Sequence, residues 1–104
     1  MNNNSNDSIG VLEEMVLLIV MREKEINGAE VLRHYISIFN RSISLPAIIS
    51  VLKRLEKKGF LTSAFGEATS ERGGKRKRLY QATAEGVAIA QSIQQSRNLL
   101  WSGI

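Results

Sequence analysis

The sequence predicts a mainly helical α+β fold of three helices, a two-stranded hairpin and a closing fourth helix. Three observations predict it. Apolar residues recur at Leu12, Met15, Val16 and Ile19, the i, i+3, i+4, i+7 spacing of a helix. Three later segments each open on a residue that caps helices, namely Asn27, Ser44 and Thr83, whose side-chain oxygens can accept a free backbone N–H of the first turn. Before the last cap, Phe60–Phe65 and Lys77–Ala82 are short, rich in β-formers and separated by a polar stretch bearing glycines, the pattern of a hairpin.

The elements follow in order. Residues 1–8, MNNNSNDS, hold nothing to bury and read as a flexible tail. Asp7 or Ser8 can cap the first helix, which ends around Arg22–Glu25, with Glu13 and Glu14 near its positive N-terminal end. It is apolar nearly all round, so it should lie at the centre of the core, with any leftover face covered by a partner. Asn27 with Glu30 makes a capping-box pattern for a second helix, which buries Val31, Leu32, Tyr35, Ile36 and Phe39 and fades at Asn40–Arg41. Ser44 caps a third helix with Pro46 in its first turn, where the missing N–H needs no partner. That helix runs to about Lys58 and stops at Gly59. Thr83 caps the last one, which reaches about Leu100. His34 is expected as a partly exposed residue of the second helix, and the methionines as core filler.

Composition narrows the function. A chain of 104 residues fits one domain, able to bury roughly two-thirds of its unfolded surface. With no cysteine, disulfide scaffolds, thiolate metal sites and cysteine nucleophiles are excluded. A single histidine argues against a His-rich metal site or a Ser-His-Asp triad, and no acid/base pair can be assembled for an enzyme. We expect no cofactor and no metal. No apolar run approaches the roughly 20 residues of a membrane span, and the start lacks the plan of a signal peptide, so a cytoplasmic protein is expected.

Charge is more telling. Residues 53–78 carry nine bases against three acids, while the rest of the chain holds five bases and seven acids. The positive charge is therefore a patch on a mildly acidic body, and a patch concentrates potential against a polyanion. On a wheel at 100° per residue, Ile48, Val51, Leu52 and Leu55 of the third helix fall in one sector. Roughly opposite lie Ser50, Lys53, Arg54 and Lys57, with Pro46 and Ile49 at the edge. A rigid helix with compact cations and a small hydroxyl suits the major groove of a duplex, although an ordinary solvated face has the same look.

The hairpin shifts the reading toward a nucleic acid. Arg72, Lys75, Arg76, Lys77 and Arg78 fall within seven residues beside Gly73 and Gly74. Like charges packed so closely repel, and phosphate is the obvious compensator, against the plainer readings of a solubilising loop or a localisation signal. A basic hairpin directly after a cationic third helix is the layout of a winged helix-turn-helix, with the hairpin as its two-stranded wing.

Over about residues 9–90 the chain resembles the PadR family of bacterial transcriptional regulators. Asn27-Gly28-Ala29-Glu30 with Val31-Leu32 parallels the family's start of helix two. Leu52-Lys53-Arg54-Leu55-Glu56-Lys57-Lys58-Gly59-Phe60-Leu61 is similar to its Leu-x-Arg-Leu-Glu-x-x-Gly-Leu-Leu segment. Gly74 to Arg78, with Tyr80, Thr83 and Gly86, is similar to its wing and to the start of its helix four. The chain departs from the pattern at Ile49, where the family usually has Tyr, and at Pro46-Ala47-Ile48, so the operator of typical members does not carry over.

The resemblance implies a homodimer built by the first and last helices, and the apolar stripe of the last helix independently agrees. Residues 9–82 then form the DNA-binding domain and 83–104 the dimerisation helix. Contacts to double-stranded DNA at a palindromic operator fall to Ser44, Ile49, Ser50, Lys53, Arg54, Lys57, Arg72, Lys75, Arg76, Lys77 and Arg78. The dimer interface falls to Ile9, Leu12, Val16, Val87, Ala90, Ile93, Leu100 and Trp101. Small members of the family can resemble repressors that take a flat aromatic effector at the dimer interface. Trp101 is then a candidate stacking surface, with interface packing as the plainer reading. The leading expectation is a dimeric repressor. The alternative is a winged-helix protein-interaction module without sequence-specific DNA binding.

Overall fold

The first helix starts later than the sequence suggests. In the computed structural model, which describes residues 9–66 and 76–104, α1 spans Val11–Glu23 with Gly10 as its N-cap. Glu13 takes over the capping, its Oε1 accepting the Gly10 N–H at 2.7 Å. The expected caps Asp7 and Ser8 lie outside the described residues. As its nearly all-round apolar pattern requires, α1 is central: Val16, Leu17, Ile19 and Val20 are buried. Val16, expected at a dimer interface, is fully enclosed within its own chain and is a core residue, because that side of α1 is already met by the helices packed against it.

Ile26–Asn27 form a two-residue strand, β1. The helix α2 (Gly28–Phe39) follows at once, with Asn27 Oδ1 accepting the Glu30 N–H at 2.9 Å and Glu30 Oε1 accepting the Asn27 N–H at 3.3 Å. Both halves of the expected capping box are present. Its end at Asn40 uses the left-handed conformation, φ 52°, which Asn tolerates better than most residues. Next comes α3 (Leu45–Lys57), where Ser44 Oγ accepts the Ala47 N–H at 3.2 Å and Ile48, Val51, Leu52 and Leu55 are buried, the four positions the wheel assigns to the core. Gly59 then reverses the chain at φ +86°, a conformation that favours glycine.

The hairpin strands β2 (Leu61–Phe65) and β3 (Arg78–Ala82) pair antiparallel, with Ser63 opposite Tyr80 and Phe65 opposite Arg78. Among the described residues the sheet has three strands, not two. β1 joins it through Ile26 opposite Tyr80 and Asn27 opposite Leu79, in the order β1-β3-β2. Two residues are too few for a period-2 signal, and Asn27 carries the marks of a helix cap, which concealed its second role.

The last helix, α4 (Ala84–Ser102), is joined to the core at its root. Thr83 Oγ1 accepts the Gly86 N–H at 3.0 Å and donates to the Gly59 carbonyl at 2.7 Å, while the Thr83 N–H donates to the Phe60 carbonyl at 3.1 Å. Gly86 lies so close to that carbonyl that a Cβ would stand 2.2 Å from its oxygen. Ala90, one turn on, is 2% exposed and so belongs to the core rather than to an interface. Arg97, two turns further, still reaches Glu14 of α1, and past it Leu99, Leu100 and Trp101 are exposed.

Candidate nucleic-acid interface

On α3, Ser50, Lys53 and Lys57 stand exposed on the side away from the buried stripe. None of the three forms an ion pair or side-chain hydrogen bond among the described residues.

α3 and the wing meet in one groove. A depression of about 330 Å³ is lined by Leu45, Ile49 and Lys53 from α3, by Lys77, Arg78 and Tyr80 from the wing, and by Asn27, Gly28 and Ala29 at the start of α2. Its floor is apolar and its rim carries three cations from two separate elements. Ile49 is half-buried and packs onto Gly28, where a Cβ would fall 2.5 Å from Ile49 Cδ1. The absent side chain at Gly28 lets α2 begin flush against α3. Burial raises the Tyr80 phenol above its ordinary value of 10.0, aided by the negative charge of Glu56 and opposed by Arg78. The hydroxyl is therefore neutral at physiological pH.

The root of the wing is ordered by contacts of its arginines. The Arg78 guanidinium lies over the Phe65 ring at 4.3 Å from its centroid, and that of Arg76 approaches the same ring at 5.6 Å, within cation–π range. Arg78 Nη1 donates to Ser63 Oγ at 2.8 Å, Ser63 Oγ donates to Glu56 Oε2 at 2.7 Å, and Arg76 Nε donates to the Gly66 carbonyl at 3.3 Å. Lys77 is exposed, and its carbonyl accepts the Gly66 N–H at 2.7 Å. Arg72 and Lys75 lie outside the described residues.

Arg54 is turned to another task. Its Nε donates to Glu13 Oε2 at 3.3 Å, while Lys58 Nζ reaches both Glu13 oxygens at 3.0 and 3.1 Å. Burial of Glu13 works to raise its pKa. The Gly10 N–H, Lys58 and Arg54 outweigh that effect and hold the carboxyl below its ordinary value of 4.5. Glu14, next in sequence, is buried and accepts from both terminal nitrogens, Nη1 and Nη2, of Arg97 on α4. Sequence reasoning saw only helix-terminal charges in these glutamates, and their partners 41 to 83 residues away have no local signature. It also missed Phe65, the stacking surface for both arginines.

The residues expected at a dimer interface divide. Ile9 and Leu12 are partly buried against the core, and Val87 and Ile93 are half-buried on α4. Leu100 and Trp101 are about 70% exposed, joined by Leu99 and Ile104, which the sequence reading did not single out. His34 is half-exposed, 3.7 Å from Glu23. Among the described residues no helix is long and apolar enough to cross a membrane, and no group of His, Asp or Glu is placed to hold a metal ion.

Three helices around a small sheet, with a cationic third helix beside a basic hairpin, define a winged helix-turn-helix protein. Its fold is that of solved PadR-like regulators. A PadR-like transcription factor from Bacteroides fragilis is 18% identical with a TM-score of 0.78, matched over 90% of this chain and 86% of that one. A PadR-like transcriptional regulator from Bacillus cereus is 23% identical with a TM-score of 0.73, over 90% and 87%. Bacillus subtilis PadR, solved in complex with operator DNA, is 20% identical with a TM-score of 0.71. There the match covers 84% of this chain but only 48% of that one, about half its length. No family model and no curated protein sequence matches the chain.

Proposed function

We propose that this protein is a DNA-binding transcriptional regulator of the PadR type that acts as a homodimer on a palindromic operator, most simply as a repressor. The observation that carries the reading is the shared groove: Lys53 of α3 and Lys77 and Arg78 of the wing line one concavity. Two cationic elements facing the same space suit a duplex, whose groove takes the helix and whose flanking phosphates take the wing. In this reading Ser50, Lys53 and Lys57 approach base edges in the major groove, with Ser44 and the exposed part of Arg54 beside them. Arg76, Lys77 and Arg78 hold phosphates or the adjacent minor groove, and Arg72 and Lys75 extend that charge. Such a regulator works in the cytoplasm, where its operator is.

Dimerisation is supported by the bare end of α4. Four large apolar side chains exposed within six residues are costly in a monomer and ordinary at a subunit interface. Two-fold pairing would also double the phosphate contacts of one small domain. Trp101 in such an interface is the natural stacking surface for a flat aromatic effector.

Selection of bound duplexes from a random pool tests the reading. Enrichment of a palindrome is the expected result. Recovery without any preferred sequence would instead favour a winged-helix module that docks an acidic protein partner.

A further inference from the structure

Glu56 presents a puzzle: it places a negative charge on α3, the helix proposed to enter DNA. A carboxylate there repels phosphate and should weaken binding. Its contacts suggest why it is present. Ser63 Oγ donates to Glu56 Oε2 at 2.7 Å and accepts from Arg78 Nη1 at 2.8 Å. The direction of the chain is unambiguous, because a guanidinium can only donate, an ionised carboxylate can only accept, and the hydroxyl does one of each. Both bonds involve an ionised group, the stronger kind, and a chain of this type polarises along its length.

The third constraint on Arg78 is Phe65. Hairpin register sets Phe65 directly opposite Arg78 and Ser63 opposite Tyr80, so Ser63, Phe65 and Arg78 share one face of the sheet. The guanidinium lies over the ring at 4.3 Å from its centroid while one nitrogen donates to the hydroxyl. Phe65 nonetheless keeps half its surface exposed, at 53%. Among the described residues Arg78 makes no other side-chain hydrogen bond and no ion pair, and it stands exposed on the wing. An arginine side chain carries rotamer entropy that binding must otherwise remove. Here the fold has already removed much of it.

We propose that Glu56 and Ser63 are positioning residues that, together with Phe65, pre-set Arg78 as a DNA contact and hold it at a fixed distance from α3. This inference rests on the DNA-binding reading above and adds a specific role for an acid that electrostatics alone would disfavour. The sign of the effect separates the two accounts. A simple charge effect makes Glu56→Ala bind DNA more tightly, whereas positioning makes it bind more weakly.

The test is a double-mutant cycle on the full chain, measuring affinity for a mixed-sequence duplex at several salt concentrations, with a thermal melt for each variant. Glu56→Ala and Ser63→Ala should each weaken binding roughly three- to tenfold, the scale of one ordinary hydrogen bond. Neither should weaken it further in an Arg78→Ala background, and Ser63→Thr, which keeps the hydroxyl, should restore wild-type affinity. If Glu56→Ala proves unfolded, Glu56→Leu, which keeps the bulk and removes the acceptor, is subject to the same requirement: loss with Arg78 present and none without it. Tighter or unchanged binding by the Glu56 variant, or losses that add to that of Arg78→Ala, overturns the inference while leaving the DNA reading intact. Failure of the wild-type chain to bind any duplex in a salt-dependent way overturns both.

Discussion

Glu13 of α1 and Lys58, just past the end of α3, meet through both carboxylate oxygens at 3.0 and 3.1 Å, with the glutamate side chain only 10% exposed. The same carboxylate caps α1 through the Gly10 N–H and receives Arg54. One buried anion thus joins the start of the central helix to the C-terminal half of the helix proposed to read DNA. Glu14, its neighbour, does the same for α4 through Arg97.

Glu13→Gln should therefore destabilise the fold by about 1–3 kcal/mol, since it removes the charge that two cations and a helix start share. The pH dependence has a definite sign. The carboxyl is held below 4.5 in the folded chain, so its contribution is complete above the ordinary carboxylate value. It is lost as pH falls through the lower, folded-state value. In urea unfolding, the stability gap between wild type and Glu13→Gln should be widest near neutral pH and close in acid; a gap that widens in acid would contradict this account.

Gly86→Ala should be among the most damaging single-methyl changes in the chain. The added Cβ would sit 2.2 Å from the Phe60 carbonyl oxygen, a backbone atom that cannot rotate aside, and relief requires α4 to shift from its seat. We expect a loss of about 2–4 kcal/mol, against about 1 kcal/mol for removing the cap in Thr83→Ala. Thermal melts of the two variants compare them directly, and a Gly86→Ala protein as stable as wild type would mean that α4 is not seated as described.

Removing wing cations and removing cations from α3 should have different signatures. Arg76→Ala with Arg78→Ala should weaken binding to all duplexes alike and lower the salt dependence by about one unit of slope per lost phosphate contact. Replacing Ser50 or Lys53 should alter which sequence is preferred. Titrations at several salt concentrations check the first and repeated selection checks the second. Unchanged affinity of the wing double variant at every salt concentration would remove the wing from the interface.

Trp101 is the single tryptophan and is 70% exposed in the isolated chain, so its emission reports directly on what covers the end of α4. Dilution through the dimer dissociation range should shift that emission to the red as the indole meets water. Leu100→Asp should favour the monomer in sedimentation without lowering the melt of the winged-helix body. A red-shifted emission at all concentrations would show that the end of α4 is not the subunit contact.

Two kinds of information separate here. The amino-acid order by itself determined the caps at Asn27, Ser44 and Thr83, the buried stripe of α3, the stop at Gly59 and the basic face, because each is written within about one helical turn or one hairpin. Only the tertiary structure decided that Val16 and Ala90 face inward, that β1 becomes a third strand, that Arg54 turns to Glu13, and that Glu56, Ser63, Phe65 and Arg78 form one cluster. Those outcomes depend on how helices cross and how strands register, and such long-range contacts leave no period in the chain that makes them.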